Sequence, residues 1–220
     1  MRFRLLAAVL PVAIAAAPLQ AQFTPTGSYG SLPQATFGGS GIPNNAVMRN
    51  TFDGITLGLT ATQRFSAPAV TDNAAGTYFA TNGSGTPSTY ALWNFDFFIG
   101  GERAKNYSYV LYYDFDPAVG TMVSDHGHIM LPANSQNSWN LGMPFLDSNT
   151  FGVQPTYASF DPNAGGSYTF ALLQLDASQA EVGRVAIDVV TATPEPATLT
   201  LMASGLFGIG FVARRRRQRA

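Results

Sequence analysis

Along residues 107–116, Tyr107, Tyr109, Leu111, Tyr113 and Phe115 alternate with Ser108, Val110, Tyr112, Asp114 and Asp116. A strand puts every second side chain on one face, whereas a helix would scatter these aromatics around its circumference. This stretch therefore predicts a strand with one aromatic face, and other segments repeat the theme. "TFDGITLGLTATQRF" at 51–65 is Thr-rich and alternating, "TYFAT" at 77–81 is short and bounded by Asn and Gly, and "YALWNFDFFIGG" at 90–101 is long and aromatic. No long amphipathic helix is visible. Short strands at turn-punctuated spacing predict an all-β fold, an antiparallel β-sandwich of Ig-like or jelly-roll type over residues 51–192.

The turn residues suggest how strands connect. "GGERAK" at 100–105 reads as a turn joining two aromatic strands into a hairpin. Residues 177–180 read as the turn of a second hairpin, between "GSYTFALLQLD" and "EVGRVAIDVVTAT". "FDPAVG" at 115–120 and "FDPNAG" at 160–165 predict one turn used twice, because Asp caps such a turn and Pro fixes φ at the next position. Residues 22–50 are rich in Gly, Pro, Ser and Asn and read as a flexible lead-in with little structure.

The chain has 220 residues, with 16 Phe and 9 Tyr to build a core. Its net charge of −1 hides a polarity. Residues 22–193 hold five bases and twelve acids, 5 − 12 = −7, and the balancing arginines sit near the two ends. An acidic middle is repelled by phosphate backbones, so no nucleic-acid partner is expected. There is no cysteine, which excludes disulfides, thiolate metal sites and a Cys nucleophile. Neither a G-x-S-x-G nor an H-E-x-x-H motif occurs. The expectation is a non-enzymatic protein without a cofactor.

The two ends differ from the middle. Arg2 and Arg4 precede an apolar stretch at 5–17 and then small residues, the layout of a secretory signal peptide cut between Ala21 and Gln22. At the other end, residues 197–213 form an apolar run of about 25 Å if helical, the lower limit for a transmembrane helix. Arg214, Arg215, Arg216, Arg217 and Arg219 follow as a basic stop. Pro194, Glu195 and Pro196 stand just before the run, where proline enforces an extended peptide.

Thr193-Pro194-Glu195-Pro196, the glycine-dotted apolar run and the arginine cluster resemble, in that order, the PEP-CTERM protein-sorting signal over residues 193–220. The same kind of tail is also labelled an ice-binding-protein C-terminal domain, although a flat array of regularly spaced Thr is missing here. The family usually has Val before the triplet, and this chain has Thr193. The resemblance implies recognition by an exosortase, a membrane transpeptidase-like enzyme. It further implies transient residence in the inner membrane of a Gram-negative envelope, then delivery to the cell surface or an exopolysaccharide matrix.

Candidate sites in the middle are few. Asp125, His126 and His128 form the sole histidine cluster; histidines two apart share a strand face and are weak metal candidates, with Asp114 and Asp116 as oxygen donors or a calcium pair. Trp93, Trp139 and the tyrosines suit a core better than a sugar-stacking platform. A carbohydrate-binding or adhesion module is the alternative to a purely structural role.

Overall fold

The computed structural model describes residues 22–39, 42, 46–148, 152–153 and 159–192. Twelve strands run in chain order: β1 Ser28–Gly30, β2 Val47–Phe52, β3 Ile55–Gln63, β4 Thr71–Asp72, β5 Thr77–Thr81, β6 Trp93–Gly100, β7 Ser108–Tyr113, β8 Gly127–Leu131, β9 Gln136–Trp139, β10 Gly152–Val153, β11 Gly166–Leu175 and β12 Glu181–Ala192. They form a five-stranded sheet, β1-β2-β3-β6-β9, and a seven-stranded sheet, β10-β8-β7-β11-β12-β5-β4. The protein is all-β, and helical structure among the described residues is confined to short 3-10 turns. None of the helices among them is long and apolar enough to cross a membrane. The signal peptide and the transmembrane helix expected at the two ends lie outside the described residues.

Each sheet turns one apolar face to the other, and these faces meet in a shared core. Ile55, Leu57 and Leu59 of β3 and Trp93, Phe95, Phe97 and Ile99 of β6 share one core with Tyr109 and Leu111 of β7, Phe170 and Leu172 of β11, and Val185, Ile187 and Val189 of β12. Phe95 stacks on Phe170 across the gap at 4.5 Å, and Trp93 meets Phe170 edge-on at 6.1 Å. Offset and edge-on ring pairs are the favoured aromatic geometries, so the two sheets are locked together as well as brought together. Trp93 lies in this core, and Trp139 packs on it against Phe95, Phe97 and Phe145.

Three expectations change. The fold is not purely antiparallel: β12 pairs β5 in parallel from Asp188↔Thr77 to Ala192↔Thr81. A parallel pair needs a long crossover, and everything between β5 and β12 supplies it. Residues 100–105 do not close a hairpin; β6 belongs to the five-stranded sheet and β7 to the seven-stranded one. Both edges of β6 are already occupied, by β3 and β9, so the chain must leave the sheet at Gly100. At Gly101, φ is +152° and a side chain would collide with the Gly54 carbonyl, which makes the crossing tight.

The third change concerns the lead-in. Its described part is packed. Phe23 is buried against Ala171, Leu173 and Ala186 on the outside of the seven-stranded sheet. Thr26 exchanges two 3.0 Å backbone hydrogen bonds with Ala186, and β1 pairs β2 in the other sheet. Leu32, Ala35 and Phe37 then bury against Val47 and Phe98. The apolar side chains here are sparse and aperiodic, yet each finds a pocket on a sheet that already exists.

Other expectations hold. β11 and β12 form the hairpin around residues 177–180, with Leu172↔Val185 and Phe170↔Ile187 in register. Both Asp-Pro turns are built alike: the Asp116 carboxylate accepts from the Ala118 N–H at 2.8 Å, and the Asp161 carboxylate from the Asn163 N–H at 2.9 Å. The two turns are neighbours, with the Phe115 and Phe160 rings 6.0 Å apart.

Candidate functional site

The outer face of the five-stranded sheet is divided. At one end the segment 32–37 caps it with apolar side chains. Gly58 makes room beneath the cap; a Cβ there would stand 2.8 Å from Leu32 Cδ2. At the other end the face is polar. Cross-strand register sets Thr60 beside Asp96, Thr62 beside Asn94, and Asp96 beside Ser138. Asp96 is fully buried, and its Oδ2 accepts a 2.7 Å hydrogen bond from the Thr62 hydroxyl. Burial pushes its carboxyl up to about 7, with the Ser138 and Thr62 hydroxyls opposing the rise.

A cleft of ≈ 340 Å³ opens above this polar half, between Phe37 and Ile42 on the cap side and Gln63, Arg64 and Phe65 on the other. That is the small end of the range for ligand sites. The Arg64 guanidinium lies 4.6 Å from the centre of the Phe65 ring and 4.8 Å from that of Tyr90. Its Nη2 donates to the Thr86 carbonyl at 3.1 Å. Phe65 is 81% exposed and has φ of +50°. It sits in a tight turn closed by the Ala67 N–H on the Arg64 carbonyl at 3.0 Å.

The histidine cluster has a different fate. His126 is buried, its Nδ1 bonded to the Met122 carbonyl at 2.9 Å and its ring edge-on to Phe23 at 5.5 Å. Its Nε2 faces Asp114 Oδ2 at 3.9 Å, both side chains wholly enclosed. Burial pushes Asp114 up to about 7 and His126 down, because neither charged form is solvated there. His128 packs its ring on Tyr112 at 5.2 Å, and Asp125 accepts from the Ser124 hydroxyl. Asp114 and Asp116 each cap a turn, at the N–H groups of Asp116 and Ala118. Among the described residues, His, Asp and Glu side chains nowhere gather in threes in a way that could hold a metal ion. Asp125, His126 and His128 are thus not assembled as a ligand set; two of the three serve packing.

Sequence reasoning passed over Phe65. The available signal was an aromatic residue inside "QRFSAP", where turn formers predominate.

The folded body ends on β12, whose last residue is Ala192. A family model described as the PEP-CTERM protein-sorting motif matches residues 192–217. The chain carries a PEP-CTERM sorting motif. The PEP-CTERM match implies recognition by an exosortase and export to the cell envelope, as the Pro194-Glu195-Pro196 resemblance predicts. Pro194, Glu195, Pro196, the arginine cluster and the Ala21–Gln22 junction all lie at or beyond the edges of the described residues. Ala192 is still held in the sheet opposite Thr81. Thr193 alone separates it from Pro194, at most about 7 Å of chain, so the PEP-CTERM motif begins where the sheet ends. The chain matches no curated protein.

Proposed function

We propose that this is an exported, non-enzymatic β-sandwich protein that an exosortase processes through Pro194-Glu195-Pro196 and sorts to the cell surface or the extracellular polysaccharide matrix. The match over residues 192–217 carries this reading. The acidic body supports it, since a net −7 over residues 22–193 keeps a released domain soluble. The signal peptide reading of residues 1–21 supports the export step. Changing Pro194 and Pro196 together to Ala should leave the chain uncut and membrane-held, read as an unprocessed mass by intact-mass spectrometry of the membrane fraction. Release of a normally processed form would count against the sorting reading.

A second reading concerns the body itself: it binds glycan in the matrix. The exposed Phe65 at the mouth of the ≈ 340 Å³ cleft favours this reading, because a free aromatic face suits the C–H side of a sugar ring. Binding of matrix polysaccharide by the protein, weakened by about tenfold or less on Phe65→Gly, is the expected outcome in affinity electrophoresis.

A further inference from the structure

Phe65 and Arg64 each lack something that folding ordinarily provides. A bulky residue with φ near +50° is a backbone outlier, and burial is the usual compensation. Phe65 has none, being 81% exposed. Glycine would close this turn more cheaply, so a phenylalanine in this place calls for a use of its ring.

Among the described residues, Arg64 has no counterion. The ion pairs among the described residues are Arg103–Asp53, His126–Asp114 and Arg184–Glu181. The Arg64 Nε is buried without a hydrogen-bond partner, and Nη2 has only a neutral carbonyl. The guanidinium lies beside the Phe65 and Tyr90 rings, and Arg64 is one of the residues that line the cleft. A partly desolvated cation of this kind is electrostatically incomplete, and a planar carboxylate is the anion its fork matches. Asp96 does not fill that role. It lies under the Thr62 and Ser138 hydroxyls and makes no ion pair with Arg64.

The rest of the lining is neutral and polar. The Asn137 carboxamide oxygen accepts from the Ser138 N–H, which leaves its exposed NH₂ for a ligand. The Gln63 NH₂ reaches the Phe65 carbonyl, which leaves its oxygen. One cation, one free aromatic face and two amide ends in a small cleft describe a ligand with a carboxylate, a flat apolar face and hydroxyls.

We propose that this cleft binds an acidic saccharide, a uronic acid unit of a polysaccharide, with its carboxylate on Arg64, its ring face on Phe65 and its hydroxyls on Gln63 and Asn137. The proposal rests on the glycan-binding reading above and names the class of sugar. It also reconciles an acidic body with an acidic ligand, because the cleft lining holds a cation and no exposed carboxylate.

The test is calorimetric titration of the full-length chain in detergent with an oligogalacturonate and with a neutral gluco-oligosaccharide of the same length. The acidic oligomer should bind at least about tenfold more tightly than the neutral one, and Arg64→Gln should erase that preference. Phe65→Gly and Asn137→Ala should each weaken binding by about tenfold or less, and Lys105→Gln, a surface charge remote from the lining, should change nothing. Thermal melts confirm that each variant is folded; Asn137→Ala alters an exposed side chain and keeps the site testable if Arg64→Gln does not fold. Equal binding of both oligomers, or acidic binding indifferent to Arg64→Gln, overturns the acidic-sugar proposal and leaves glycan binding standing if Phe65→Gly weakens it. Binding of neither oligomer overturns both.

Discussion

Phe37 and Phe65 border the same cleft and share the same unusual backbone, with φ of +48° and +50°. One is 1% exposed and the other 81%. The left-handed conformation costs either residue about 1–2 kcal/mol. Phe37 recovers that and more by burying its ring among Leu32, Val47 and Phe98, and its N–H donates to the Gln136 side chain at 2.8 Å. Phe65 recovers about 0.5–1 kcal/mol at most from its contact with Arg64. The same strain thus serves folding at one wall of the cleft and has no folding use at the other. That contrast is what the proposed recognition role of the Arg64–Phe65 corner rests on, whereas the 32–37 cap packs as part of the fold.

Substitution to glycine separates the two roles most sharply. Phe37→Gly removes a buried ring and leaves a void, an expected loss of about 3–4 kcal/mol after relief of the backbone strain. Denaturant unfolding measures it, and a loss below about 1 kcal/mol would mean that the cap does not hold the sheet face.

The polar half of the face should respond to pH where the cap does not. Asp96 keeps its proton in the fold up to about 7, whereas in the unfolded chain it ionises near the ordinary carboxylate value of 3.8. Between those values the folded state binds more protons, so stability falls as pH rises and the deficit persists above that window. Asp96→Asn removes this dependence. Relative to the variant, the parent should lose about 4 kcal/mol between pH 4 and pH 8, read from paired unfolding curves. Parallel curves would show that Asp96 is ionised in the fold throughout.

The smallest effect is the most informative. Phe65→Gly relieves about 1–2 kcal/mol of backbone strain and forfeits about 0.5–1 kcal/mol of ring contact, so stability should hold or rise by about 1 kcal/mol. A loss as large as that of Phe37→Gly would make Phe65 a structural residue and end the contrast.

The strands were legible because segments such as β7 alternate with a two-residue period, and because β11 and β12 are apolar, β-branched and aromatic runs bounded by turn residues. The β11–β12 hairpin was legible because its short turn leaves both strands free to pair. The 100–105 link was misjudged for a physical reason: turn residues say that the chain bends, not which sheet the next strand joins, and that was decided by β3 and β9 taking both edges of β6. Residues 22–39 were unreadable because a segment lying on a finished sheet needs only scattered anchors such as Phe23 and Leu32. The histidines were read as weak candidates, and only three-dimensional placement shows His126 beside Asp114. The cleft was hidden because Gln63, Asn94 and Asn137 lie on three separate strands or their ends and meet through register alone. The sorting motif is the reverse case: it is linear, so its residues announce it without a fold.

β12 carries one more implication. It is an inner strand, laddered to β11 from Leu175↔Glu181 to Gly166↔Thr191 and to β5 along Asp188 to Ala192. Tension applied through the chain beyond Ala192 therefore enters the body along this strand, loading both ladders in shear rather than peeling an edge bond by bond. Breaking them means breaking many bonds at once, so a body tethered through its carboxyl end is gripped by a strand laddered on both edges.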